Sequence, residues 1–248
     1  MKKIFLLAFL LLAVACQPAT PTPVPASLFP TETPLPTLVP LTDTPAPTPT
    51  QEPTPTPFPK FFTTEFDDPA LTGWAVLQGG NEAVPNVRVE NSRFLVQTDA
   101  PYTFVYSLYG PEDYQNVRVD TKFINNAMSP ASAGLICRYS DTDGWLEYNI
   151  TTDGTYNVLY GKWLSSGVAD YLPILNGSSN AIQQSGMEQQ IGLICSGTTL
   201  TLLIDDKVIR NVDVTRYELA GGKVGLTASS YENTPVIVSF DWVKVSEP

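Results

Sequence analysis

The acidic side chains are the first candidates for chemistry, because the chain contains no histidine. Ser-His-Asp and Cys-His catalysis and histidine-based metal sites are therefore excluded. Hydrolysis of a glycosidic bond needs only two carboxyl groups, about 5–5.5 Å apart in retaining enzymes. Glu147 could supply one of them, but no partner lies in its own strand, and a Glu-x-Asp pair occurs only once, at Glu65 and Asp67. We therefore assign no catalytic residue.

Sugar binding requires less, namely an aromatic ring to stack on a pyranose and a few polar groups for its hydroxyls. A three-residue loop at 152–154, with Gly154 left-handed, pairs Ile150 with Tyr156 and places the apolar side chains of this hairpin on one face. The opposite face is predicted to be exposed. With Arg138 from the preceding strand, it carries the candidate carbohydrate-binding residues Arg138, Trp145, Glu147, Asn149 and Asn157. Alternatively, Trp145 covers a loop and Arg138 forms a surface ion pair with Glu147. The other tryptophans are predicted to be core or rim residues.

A calcium site is the one cofactor that the acidic residues suggest. Asp67, Asp68 and Asp241 could meet, since the first and last strands of a β-sandwich are often neighbours, and Ca²⁺ prefers carboxylate oxygens. A second acidic loop, Asp141 to Asp143, lacks the EF-hand spacing, and an ordinary turn explains it. Apart from possible calcium, we expect no cofactor.

The elements that position these residues are predicted to be β-strands, because apolar residues recur with period two and no long helical stripe appears. Between 177 and 187 the pattern is weakest and suggests a loop with a helical turn. Many short strands separated by turns are typical of an all-β sandwich or barrel. The predicted strands are 87–90, 93–97, 103–107, 116–124, 133–139, 145–151, 156–164, 190–195, 200–204, 208–212, 223–228 and 236–245.

Two of the three cysteines occur in near-identical predicted strands, Gly134-Leu135-Ile136-Cys137 and Gly192-Leu193-Ile194-Cys195. If the N-terminal segment described next exports the domain, its setting is oxidising, and we therefore predict a disulfide between Cys137 and Cys195. Two buried free thiols are the alternative.

The N-terminus has the layout of a secretory signal peptide, with two lysines, an apolar run from Ile4 to Leu12 and small residues before Cys16. The run is too short to span a bilayer, which needs about 20 residues. Residues 1–15 with Cys16 resemble a bacterial lipoprotein signal. The resemblance implies cleavage before Cys16 and lipid attached to it, which would anchor the protein to the outer face of the cell membrane or the cell surface. An ordinary cleaved signal with a chance cysteine is the alternative.

Residues 16–60 are predicted to form a Pro/Thr-rich linker, since positions 17–60 include 15 prolines and 11 threonines. Such a segment favours extended polyproline II structure over helix or sheet. The remaining residues, 61–248, suffice for one sizeable domain. The charges of residues 1–60 cancel, so the net charge of −11 falls on this domain. An acidic surface is repelled by nucleic acid, which we exclude as a partner.

The domain resembles the concanavalin A-like jelly rolls of the laminin-G-like and glucanase-like kind. The similarity lies in Phe66-Asp67-Asp68 with Gly73-Trp74, in the strand from Gly134 to Tyr139, in the hairpin from Leu200 to Ile209, and in the last two strands around 222–226 and 240–243. It implies two antiparallel sheets and a concave face that often binds sugars. The glucanase acids, Glu-x-Asp-x-(x)-Glu on one strand, are not matched. We expect a non-catalytic binder of extracellular glycan; a glycoside hydrolase and a structural or protein-interaction module are the alternatives.

Overall fold

The computed structural model describes residues 58–127 and 130–248. The predicted signal peptide, Cys16 and all of the linker before Phe58 lie outside the described residues. Within the described part, no helix is long and apolar enough to cross a bilayer. The described residues form fifteen strands: β1 Phe62–Thr64, β2 Trp74–Gly80, β3 Asn86–Glu90, β4 Arg93–Thr98, β5 Thr103–Tyr114, β6 Val117–Ala127, β7 Ala131–Ser140, β8 Gly144–Thr151, β9 Thr155–Ser165, β10 Val168–Ser178, β11 Glu188–Ser196, β12 Thr199–Ile204, β13 Lys207–Asp213, β14 Gly222–Ser230 and β15 Val236–Ser246.

The strands form two antiparallel sheets. One has eight strands in the order β13-β12-β11-β6-β15-β4-β3, with β1 paired to β15. The other has seven strands in the order β10-β9-β8-β7-β14-β5-β2. A 3₁₀ helix, Thr215–Tyr217, precedes β14. The all-β, two-sheet sandwich predicted from the sequence is confirmed.

The core lies between the sheets because side chains alternate along each strand. In β6, Val117, Val119 and Phe123 are buried inward, whereas Arg118 and Lys122 alternate with them on the outer face. Burying each such apolar side chain stabilises the fold by about 1.5–3 kcal/mol. The predicted disulfide between Cys137 of β7 and Cys195 of β11 is confirmed, and it joins the two sheets through this core.

All twelve predicted strands are present, and the hairpin register is confirmed. Ile150 pairs with Tyr156, and Gly154 at the turn has a φ of 87°. Three strands were not predicted: β1, β2 and β10. Strand β10 contains Pro173, which has no backbone N–H to donate. The sheet tolerates this proline because β10 is an edge strand. The predicted helical turn is wrong: residues 177–178 belong to β10, and residues 179–187 form turns without a helix.

The hairpin formed by β9 and β10 extends beyond the end of β8, the strand with which β9 pairs. Pairing with β8 ends at Trp145 and Gly161, but β9 continues to Ser165. The backbone N–H of Gly80, at the end of β2, donates to the carbonyl of Gly167 in the turn of this hairpin, at 3.0 Å. The two edges of the seven-stranded sheet therefore meet across its outer face. We refer to residues 162–170 as the hairpin tip.

The last residues of the predicted linker contact the domain. The hydroxyl of Tyr109 donates to the carbonyl of Pro59 at 3.1 Å, and the hydroxyl of Tyr114 donates to the carbonyl of Lys60. Contacts with the folded core therefore begin a few residues before position 61.

Candidate functional site

Four of the five predicted sugar-binding side chains meet on the predicted face of the seven-stranded sheet. Trp145 Nε1 donates to Glu147 Oε2 at 2.9 Å, and Asn149 Nδ2 donates to Glu147 Oε1 at 2.7 Å and to Asn157 Oδ1 at 3.3 Å. The prediction that this face is exposed is wrong, because Trp145 is 0%, Glu147 2% and Asn149 2% exposed. A sugar in solution therefore cannot stack on Trp145.

An aromatic cluster covers this face. The ring centroid of Trp163, at the hairpin tip, lies 5.1 Å from that of Trp145. Tyr106 lies 5.5 Å from Trp145 on another side, and Tyr139 lies 5.4 Å away. Period-two alternation identifies the face that a side chain occupies, but it cannot show that a distant part of the sheet folds over that face. The burial of Trp145 is therefore a consequence of the extended β9–β10 hairpin.

Glu147 is a buried carboxyl group. Burial raises its pKa, and the hydrogen bonds from Trp145 and Asn149 act in the opposite direction. The side chain is enclosed by its donors and by the cluster above it, so it cannot serve as a hydrolytic acid for a substrate outside unless the hairpin tip moves.

Arg138 does not share the face of Trp145, and its predicted ion pair with Glu147 does not form. A bulge in β7, where Arg138 has a φ of 56°, reverses the alternation of the strand. The predicted direction of Arg138 is therefore wrong. Tyr139 turns to the outer face, and Arg138 is buried at the end of the sandwich, where its guanidinium donates to the carbonyls of Leu219, Gln115 and Gly197. Desolvation lowers the pKa of Arg138.

The predicted calcium ligands do not converge. Asp68 accepts hydrogen bonds from the side chain of Thr72 and from the backbone N–H groups of Thr72 and Ala70, which lower its pKa. Asp241 forms ion pairs with Arg93 at 3.1 Å and Lys122 at 3.6 Å. Within residues 58–127 and 130–248, no group of three or more acidic or cysteine side chains could hold a metal ion.

An open cleft of about 360 Å³ remains beside the covered face. We call it the Trp163 cleft. It lies between β2, the hairpin tip and the turn that follows β7, and its lining includes Leu77, Tyr139, Asp141, Trp163, Ser165 and Ser166.

A chain of hydrogen bonds fixes one side of this cleft. Trp163 Nε1 donates to the Tyr139 hydroxyl at 2.8 Å, and that hydroxyl donates to Asp141 Oδ1 at 2.6 Å. Burial, reinforced by the hydrogen bond to Asp141, raises the pKa of Tyr139. The hydroxyl thus stays protonated at neutral pH and holds the indole and the carboxylate in place.

The Trp163 cleft combines the groups that recognise a sugar: an indole, a carboxylate and two serine hydroxyls. Sequence reasoning placed Trp163 in the core or at a rim, and its ring does lie at the rim of the aromatic cluster. Its position beside Asp141 was not predicted, because Trp163 lies on β9 whereas Asp141 lies in the turn between β7 and β8. The bulge at Arg138, which brings Tyr139 between them, has no signal in the sequence.

Solved structures with this fold were found, although no protein-family model and no curated protein matches the sequence. The carbohydrate binding module CBM66 from Bacillus subtilis is 12% identical, with a TM-score of 0.51 over 68% of this chain and 92% of the module. A β-glucanase from Bacillus licheniformis is 14% identical, with a TM-score of 0.52 over 76% of this chain and 98% of the enzyme. A Bacillus subtilis protein of unknown function with a galectin-like fold is 10% identical, with a TM-score of 0.55 over 75% of this chain and 94% of that protein. The described part of the chain is a concanavalin A-like jelly roll.

Proposed function

We propose that this protein is a lipid-anchored surface protein whose jelly-roll domain binds extracellular glycan without hydrolysing it, and that the binding site is the Trp163 cleft. Lipid on Cys16 would hold the chain at the outer face of the membrane or at the cell surface, and the Pro/Thr-rich linker would extend the domain away from it. No nucleic acid is expected as a partner of so acidic a domain.

The observation that carries the proposal is the juxtaposition of Trp163, Tyr139 and Asp141 at an accessible cleft. An indole offers a large apolar face to the C–H groups of a pyranose, and a carboxylate held by one neighbour can accept hydrogen bonds from sugar hydroxyls. The rigid hydrogen-bond chain reduces the entropy lost when a sugar binds. Carbohydrate-related proteins among the fold neighbours agree with this assignment.

The proposal of binding without hydrolysis rests on the position of Glu147. A retaining mechanism requires two carboxyl groups that reach the same bond. Among the described residues, Asp141 is the one carboxyl group that lines the Trp163 cleft. Asp113 and Asp143 lie outside this cleft, and Glu147 is buried beneath the aromatic cluster.

The experiment is a glycan array probed with the full-length protein in detergent, with parallel assays for the release of reducing sugar. Binding without release supports the proposal. Trp163→Ala should abolish binding, Asp141→Asn should weaken it, and Leu164→Ala is the matched control, because Leu164 is adjacent but 69% exposed and does not line the cleft. Absence of binding across the array, or equal binding by Trp163→Ala and wild type, would contradict the proposal. Release of reducing sugar would favour the hydrolase alternative.

A further inference from the structure

A second cleft, of about 500 Å³, adjoins the Trp163 cleft and shares Tyr139 and Asp141 with it. We call it the loop cleft. It is formed by the turns after β5 and β7 and by the segment before β14. Its lining includes Asp113, Ser140, Asp143, Ala220, Gly221 and Lys223.

One side of the loop cleft consists of bare backbone. A side chain on Gly222 would place its Cβ 2.3 Å from the carbonyl of Tyr139, and the φ of 150° at this position disfavours other residues. A Cβ on Gly221 would lie 3.0 Å from the carbonyl of Tyr114. The two glycines therefore let the segment before β14 lie close against the backbone of Tyr114 and Tyr139. No side chain from these two positions fills the cleft.

Polar groups on the other sides are held in place. Ser140 Oγ accepts the backbone N–H groups of Thr142 and Asp143, at 3.3 and 3.2 Å, and so fixes the turn. Lys223 Nζ lies 3.0 Å from Asp113 Oδ1, and both residues line the cleft. These donors and acceptors suit sugar hydroxyls, as do those of the Trp163 cleft.

The charge of the two clefts restricts the ligand. Asp113, Asp141 and Asp143 line them together with one cation, Lys223, on a domain whose net charge is strongly negative. Carboxylates that line a binding site repel an anionic ligand brought close to them. A glycan bearing uronic or sialic acid would therefore be repelled, whereas a neutral one would not.

We infer that the ligand is a linear oligosaccharide without acidic groups, which stacks on Trp163, passes over Asp141 and continues into the loop cleft. The inference rests on the proposed function and adds a second binding region together with a dependence on chain length. Affinity should therefore rise from short oligomers, which fill only the Trp163 cleft, to longer ones that reach both clefts.

The test is calorimetric titration of the full-length chain with neutral homo-oligosaccharides of glucose, mannose, xylose and N-acetylglucosamine, one to six units long, and with oligogalacturonates of the same lengths. Ala220→Trp fills the loop cleft with an indole, and Ala70→Trp adds the same side chain at an exposed position outside both clefts. Lys223→Ala serves as a second loop-cleft variant if Ala220→Trp does not fold.

The expected result is that either loop-cleft variant weakens binding of the hexamer by about tenfold, that is, by about 1.4 kcal/mol, while binding of the dimer changes less than twofold. Trp163→Ala should weaken both, and Ala70→Trp neither. Three results would overturn the inference while the proposed function stands. The first is equal affinity for hexamer and dimer, and the second is loop-cleft variants that change binding of neither oligomer or of both to the same extent. The third is tighter binding of oligogalacturonate than of any neutral oligosaccharide. If none of these saccharides binds at millimolar concentration, this inference is overturned, and the array then decides the proposed function separately.

Discussion

Breaking the disulfide between Cys137 and Cys195 should lower the free energy of unfolding by about 4 kcal/mol. The cysteines are 58 residues apart in sequence, and closing a loop of that size lowers the entropy of the unfolded chain by about 14 cal/mol/K. At 298 K this corresponds to about 4 kcal/mol. Unfolding a domain of about 190 residues has an entropy of about 0.4 kcal/mol/K, so the melting temperature should fall by about 10 °C.

Comparing oxidised with reduced wild-type protein isolates this effect, because the sequence stays the same. Both cysteines are 0% exposed, so reduction should be carried out on unfolded protein, followed by refolding in reductant and urea titration. The double variant Cys137→Ala, Cys195→Ala is the control and should be insensitive to reductant. Oxidised and reduced wild type that unfold at the same urea concentration, with the same slope, would refute the reasoning.

Three further predictions concern buried or constrained residues. Because burial raises the pKa of Glu147 above its ordinary value of 4.5, the folded state binds this proton more tightly than the unfolded state, and stability from this group is lost as pH rises above about 4.5. Glu147→Gln should therefore gain stability relative to wild type between pH 4 and 8 in urea unfolding, with Glu65→Gln at an exposed position as the matched control. A difference between Glu147→Gln and wild type that stays constant over this range would contradict the prediction. Arg138→Met should lower the unfolding free energy by about 2–3 kcal/mol, because it leaves the carbonyls of Leu219, Gln115 and Gly197 without this donor. The exposed control Arg210→Met should have little effect on the unfolding free energy. Equal losses in the two variants would show that these hydrogen bonds do not stabilise the fold. Gly222→Ala should cost about 1–3 kcal/mol more than Gly197→Ala, whose Cβ would meet nothing within 4 Å; the opposite order would show that the backbone near Tyr139 yields.

The strands and their register could be predicted because local chemistry determines them. Gly154 identifies the turn between β8 and β9, and only one pairing of Ile150 puts the apolar side chains on a single face. The repeated Gly-Leu-Ile-Cys segments likewise identified two inward-facing cysteines that the sandwich brings together. In these cases the period-two pattern and the tertiary structure agree.

The candidate site could not be predicted, because its geometry depends on departures from the period-two pattern. The bulge at Arg138 uses a left-handed conformation at a residue that is not glycine, so nothing in the sequence marks it. It turns Arg138 away from the face of Trp145 and Tyr139 towards it, so that Arg138 leaves the predicted site and Tyr139 lines the cleft. The hairpin tip buries Trp145 and leaves Trp163 only partly buried beside the cleft, through contacts between residues distant in sequence.

The most direct test of glycan recognition at Trp163 is a crystal structure of the protein grown with an oligosaccharide that it binds on the array. We expect a sugar ring stacked on the Trp163 indole, with a hydroxyl within hydrogen-bond distance of Asp141. A sugar bound on another surface, with the Trp163 cleft empty, would contradict the account.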